Sequence, residues 1–178
     1  INDPLYNVQF GIAAINLYGL WTKPIINDTP PVIAILDTGV DIYHPDLKGN
    51  IWTNKGETAG VEGYDDDNNG YTDDLHGYDF VNQTGMLADY NGHGTHCAGI
   101  AAAKGFNGIG IIGANPNAKI MSLVVMQSNG TGDVATIIKA VDYAAANGAQ
   151  VISMSLGTYA HSVAFKQALG RAYQKSVL

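Results

Sequence analysis

Asn91-Gly92-His93-Gly94-Thr95-His96-Cys97-Ala98-Gly99-Ile100 packs two histidines, a thiol and three glycines into ten residues. Glycines let the backbone turn tightly and approach a neighbour closely, and the small apolar residues from Thr95 to Ala103 suit a buried helix. His93 is then expected at or just before a helix N-terminus, held by main chain. The positive end of the helix dipole favours a neutral imidazole, the form that accepts a proton, so His93 is a candidate general base. A second candidate is Asp37, at the end of the apolar run Val32-Ile33-Ala34-Ile35-Leu36. That run is rich in β-branched residues and bounded by Pro31 and by Thr38-Gly39, which reads as a strand buried on both faces. In open α/β sheets the C-terminal strand end is where ligands and catalysis are found.

The elements around these two residues alternate. Before them, Ile12, Ile15 and Leu20 are spaced like a short surface helix, and residues 24–31 form a breaker-rich loop. Residues 78–81 suggest a short strand, and residues 105–113 a glycine-rich loop after the histidine helix. Residues 119–126 form another buried-strand candidate, 133–147 a helix closed by Asn147-Gly148, 150–154 a third strand and 160–175 a last helix. Ser176-Val177-Leu178 begins a further element, which suggests that the sheet continues elsewhere. Strand and helix in alternation is the pattern of parallel βαβ units, so the fold class is α/β.

Composition narrows the partners. Apolar residues make up 46% and charged residues 14%, which excludes a disordered chain. Nine basic against sixteen acidic residues, with no run of Lys and Arg, argue against nucleic acid. No apolar stretch is long enough to span a bilayer, and the single Cys97 rules out an internal disulfide. The acid is concentrated between Asp65 and Asp74, in a polar insertion-like loop at about 54–76. Asp65-Asp66-Asp67-Asn68-Asn69-Gly70-Tyr71 places side-chain oxygens at positions one, three and five, glycine at six and a main-chain carbonyl at seven of an EF-hand-like count. Position twelve is His76, so Asp73 or Asp74 is expected to close a calcium site; the bland alternative is a solvated turn.

Two motifs in order, residues 32–40 with His44-Pro45-Asp46-Leu47 and residues 91–99, resemble the subtilisin-like serine proteases around that family's aspartate and histidine. Ser153-Met154-Ser155-Leu156-Gly157 is similar to the family's substrate-binding strand, and Asn129-Gly130-Thr131-Gly132 to its companion across the cleft. The resemblance runs from about Asp3 to Gly157. It implies a three-layer fold with a mostly parallel central sheet and an endopeptidase that works through an acyl-enzyme. His93 would act as base and Asp37 as its orienter, while Gly130 and Ser155, Leu156 and Gly157 would pair with extended polypeptide substrates. The family's oxyanion asparagine and its serine, in a Gly-Thr-Ser-Met-Ala type motif, are not found before Leu178. The chain therefore reads as the N-terminal portion of a peptidase domain, inactive alone, whose partner is the C-terminal remainder of that domain. The resemblance further implies a second calcium site from Asp3, Asp46 and Asn107 with the carbonyls of Ile109 and Ile111. It implies a mercurial-sensitive thiol at Cys97, one helical turn below His93, and a secreted or cell-surface setting.

Other readings compete. Asp37-Thr38-Gly39 with Ile111-Ile112-Gly113 is also the signature of aspartic proteases, which needs an all-β chain. His93, His96 and Cys97 could ligate zinc from one helix face, although His96, like His44, His76 and His161, suits a structural role. Asn27, Asn82 and Asn129 begin Asn-x-Ser/Thr triplets, a pattern frequent by chance. From another class comes a calcium-stabilised module, or inactive relative, that holds peptides without cutting them.

Overall fold

The computed structural model describes residues 1–21, 29–159 and 161–178. Asn27 and most of the breaker-rich loop, as well as Ala160, lie outside the described residues.

β1 (Val32–Asp37) is the centre of a four-stranded parallel sheet in the order β2-β3-β1-β4, with β2 at Gly77–Asp79, β3 at Lys119–Val124 and β4 at Val151–Ser153. β1 pairs with β3 from Val32 opposite Lys119 to Asp37 opposite Val124, and with β4 from Ile33 opposite Val151 to Ile35 opposite Ser153. Successive side chains of a strand point to opposite faces, so a strand apolar throughout needs cover on both. Ala34, Leu36, Met121 and Leu123 face α4 (Val134–Ala146) and α5 (Val163–Gln174), meeting Ile137, Val141, Ala168 and Ala172. Ile35 and Ile120 face α3 (His93–Ala102) at Ala98 and Ala102. Helix, sheet and helix make the three α/β layers expected, and they exclude the all-β chain that an aspartic protease requires.

Each helix has a local cause. Asp133 caps α4 by accepting from the Thr136 amide, and Ser162 caps α5 by accepting from Phe165. Gly148 follows α4 with a φ of +83°.

The N-terminal segment departs from expectation. Instead of one surface helix there are two short ones, α1 (Phe10–Ala14) and α2 (Tyr18–Trp21), broken where Asn16 takes a φ of +54°. Ile12 and Leu17 are buried, whereas Ile15 and Leu20 are exposed. β3 stops at Val124 because the next two amides, of Val125 and Met126, both turn to the carbonyl of Asp37. Beyond α5, the Leu178 amide donates to Gln150 and its carbonyl accepts from Ile152, so the chain reaches the open edge of β4.

Candidate active site

Asp37 ends β1 and His93 begins α3, and two glycines let these ends meet. Gly39 has a φ of +118°, and a Cβ there would lie 2.3 Å from the Ala88 carbonyl. A Cβ on Gly94 would lie 2.0 Å from the Gly39 carbonyl oxygen and 3.0 Å from Asp37 Cβ, so the first turn of α3 rests directly on the turn after β1. His93 Nδ1 consequently lies 2.7 Å from Asp37 Oδ1, which also accepts from the Thr38 amide at 2.7 Å.

The two partners differ in exposure: 1% for Asp37 and 47% for the His93 side chain. Asp37 Oδ2 is buried with no hydrogen-bond partner among the described residues, so the imidazole is the main group answering that carboxylate's charge. The hydrogen bond to Asp37 and then its charge raise the His93 pKa above the ordinary histidine value; burial opposes them weakly, and the charge of Asp89 adds to the rise. The helix dipole was expected to favour the neutral ring. The carboxylate at hydrogen-bond distance overrides it, because Coulomb attraction to a full charge exceeds repulsion from a partial one. The result is a histidine oriented by a carboxylate through Nδ1, a base whose protonated form is stabilised.

Cys97 Sγ lies 4.0 Å from each ring nitrogen of His93 and donates to Ser155 Oγ at 3.4 Å. Its place one turn along α3 is the one anticipated. Asp37, His93 and Cys97 bring ligand atoms within 4.8 Å of one another, and His96, exposed on the helix, stands outside that group. The zinc set His93, His96 and Cys97 is therefore not assembled.

Gly130, Ser155, Leu156 and Gly157 line one cleft with His93 and Thr38, of about 660 Å³. One wall is a turn in which Met126 bridges Gly132, Gln127 donates to the Thr131 carbonyl, and Gly130 takes a φ of +81°. Ile137 and Phe165, from α4 and α5, add apolar lining that the motifs did not announce. Their only sequence signal was membership of a helical stripe.

In the acidic loop, Asp65 and Asp67 converge with Glu57, a residue the loop count missed, with ligand oxygens within 4.8 Å of one another. Burial raises the Glu57 pKa, and the charges of Asp74 and Asp67 add to that, while amides of Asp67 and Asp66 pull it down. Asn69 donates to both Asp67 and Asp74. Its carbonyl oxygen accepts from the amide of Tyr71, whose ring belongs to the aromatic cluster with Tyr78, Phe80 and Tyr143. Asp74 is fully buried and accepts from Asn54, Asn69 and the Tyr143 hydroxyl, whereas Asp73 turns both oxygens to the Gly63 amide.

At the second predicted position Asp3 accepts from the amides of Phe106 and Asn107, and Asp46 from the Asn107 side chain and the Ile111 amide. The Ile109 amide donates to Asn107, and Gln9, which the motifs did not suggest, exchanges two hydrogen bonds with Ile112. Asp3 and Asp46 are 4% and 2% exposed, and among the described residues neither meets a cationic side chain. At the loop Glu57 is buried, Asp65 half-buried and Asp67 exposed, whereas Asp3 and Asp46 are both buried; clustered carboxylate oxygens are the donor type that a hard divalent ion takes.

A family model described as the Subtilase family matches residues 28–178. The chain belongs to the subtilase family. It is 36% identical over 180 residues to Subtilisin-like protease 1 of Plasmodium falciparum, covering 99% of this chain and 26% of that protein. Thermitase of Thermoactinomyces vulgaris is 35% identical over 175 residues, covering 98% of this chain and 54% of that one. Among solved structures, sphericase superposes with a TM-score of 0.66 at 31% identity, over 91% of this chain and 49% of its own. This subtilase chain thus spans about a quarter of the length of the Plasmodium relatives it matches.

Proposed function

We propose that this chain supplies the base, its orienting acid and the substrate-pairing edges of a serine endopeptidase, and that the attacking serine belongs to the remainder of the same domain. The observation that carries the reading is the 2.7 Å Asp37–His93 contact at the mouth of the cleft lined by Gly130 and residues 155–157. His93 takes the serine proton as the hydroxyl adds to the scissile carbonyl. The same proton then passes to the leaving amine, and water repeats the sequence on the acyl-enzyme. Asp37 holds Nδ1–H and stabilises the imidazolium. An extended polypeptide lies between the two edges as an added strand, its side chains in the pockets between them.

Calcium, held by Glu57, Asp65 and Asp67 and by Asp3, Asp46 and Asn107, would stabilise loops without entering the chemistry. Secretion or surface attachment belongs to the same reading, in line with a relative named cell wall-associated protease. Among the described residues no helix is long and apolar enough to cross a membrane.

The test is covalent labelling with a fluorophosphonate followed by intact-mass analysis, on this chain and on the full-length protein. Labelling of the full-length protein outside residues 1–178, lost in His93→Ala, is the expected result. An adduct on a serine of this chain, or full turnover by His93→Ala, refutes the assignment.

A further inference from the structure

Asp89, in the loop before α3, lies outside the dyad yet collects five hydrogen bonds. Its Oδ1 accepts from Thr38 Oγ1 at 2.9 Å and from the amides of Asn91 and Gly92, and its Oδ2 accepts from the Thr95 amide and hydroxyl at 2.9 and 2.6 Å. Four of these gather the N-terminal turn of α3, where a carboxylate is favoured by exposed amides and by the helix dipole. The fifth leaves the helix for the turn after β1. Thr38 Oγ1 in turn accepts from the Gly94 amide at 3.1 Å, and the Thr38 amide donates to Asp37 Oδ1. The residue after Asp37 is thereby tied to Asp89, in the loop that leads into α3, and to Gly94, in the first turn of α3.

We propose that Asp89 is a positioning residue that, with Thr38 as the tie, fixes the separation and angle at which His93 meets Asp37. The proposal rests on His93 being the base. A helix cap alone would need only the bonds to Asn91, Gly92 and Thr95; the bond to Thr38 spans two elements whose relative placement is the geometry of the dyad. With both oxygens engaged, Asp89 is also poorly placed to compete with His93 for a proton. Burial pushes its pKa up, but the bonds from Thr95, Gly92 and Asn91 together outweigh that and hold it below the ordinary carboxylate value. It remains charged wherever His93 titrates. The groups facing His93 are Asp37 from β1, Cys97 from α3 and this second carboxylate from the loop.

Thr38→Val keeps the shape and deletes the hydroxyl. In the full-length protein it should lower kcat on a peptide anilide roughly ten- to hundredfold with KM within about twofold, the scale of a small misplacement of reacting groups. Thr38→Ser should recover most of that loss. Asp89→Asn should move the acidic limb of the kcat/KM profile to lower pH, because one of the two charges supporting the imidazolium is gone. Unchanged kcat in Thr38→Val, or an acidic limb that stays in place in a folded Asp89→Asn, overturns the proposal and leaves Asp89 a cap. Should Asp89→Asn fail to fold, the two Thr38 variants decide alone. Full activity in His93→Ala refutes the underlying dyad, a failure distinct from an inactive His93→Ala beside a fully active Thr38→Val.

Discussion

Tyr143→Phe removes one oxygen atom and isolates the contact that fastens the acidic loop to the core. Tyr143 is 2% exposed, its ring packs edge-on against Tyr71 and Phe80, and its hydroxyl donates to the fully buried Asp74. Phenylalanine keeps the ring contacts, so the change is confined to a hydrogen bond on a charged acceptor, worth about 1.5–3 kcal/mol. Asp74 retains its donors from Asn54 and Asn69, so the carboxylate is weakened and not orphaned. The expected cost is about 2 kcal/mol, which for a chain of this length lowers Tm by about 4–8 °C. Calorimetric unfolding at pH 7 measures it, and Asp74→Asn closes a double-mutant cycle in which the second substitution should cost less than the first. Burial and then the bond to Asp74 push the Tyr143 phenol above the ordinary tyrosine value. A folded pKa above the unfolded one gives stability that is complete below about pH 10 and is lost as pH rises beyond it. Tyr143→Phe should therefore also flatten the alkaline fall of Tm. A Tm within about 1 °C of the parent, with no coupling to Asp74, would refute the reasoning, since a buried charge-assisted bond cannot be lost at no cost.

Gly94→Ala places a methyl 2.0 Å from the Gly39 carbonyl, so α3 must lift; a cost of about 3 kcal/mol and a roughly hundredfold loss of kcat are expected, read by Tm and anilide turnover. Excess chelator should lower Tm by about 5 °C or more if both acidic positions hold calcium, and an unchanged melting curve would count against both. The raised His93 pKa gives stability that is full below the unfolded value near 6.5 and is lost as pH rises through the higher folded value. Between about pH 6 and 8 Tm should fall slightly, and Asp37→Asn should remove that slope.

The centre of the molecule was legible because it uses strong local signals. An apolar β-branched run ending in Asp37, a glycine-flanked His93 and a capped helix at 134–146 each admit few alternatives. Where signals were weak, tertiary structure decided. Ile12, Ile15 and Leu20 have helical spacing, yet the left-handed Asn16 divides the segment and leaves two of the three in solvent. The acidic loop shows the limit of counting positions. Asp73 and Asp74 are adjacent, but one reaches the Gly63 amide and the other the Tyr143 hydroxyl, while Glu57 enters from outside the counted run. Short polar side chains bond to nearby main chain as readily as to a metal, and sequence spacing does not tell these apart. Asp89 escaped notice for a related reason, since its work is carried by backbone amides and two threonines.

β1 has a neighbour on each side, and both come from later in the chain: β3 at Lys119–Val124 and β4 at Val151–Ser153. A chain refolding from the unfolded state, or emerging in order of synthesis, holds an apolar strand with two open edges until those segments are available. Parallel pairings so distant in sequence close slowly, because the loop entropy is lost before the contacts form. β3 therefore covers one of the two open edges, and the period of exposure to aggregation is closed only by the arrival of β4, the later of the two.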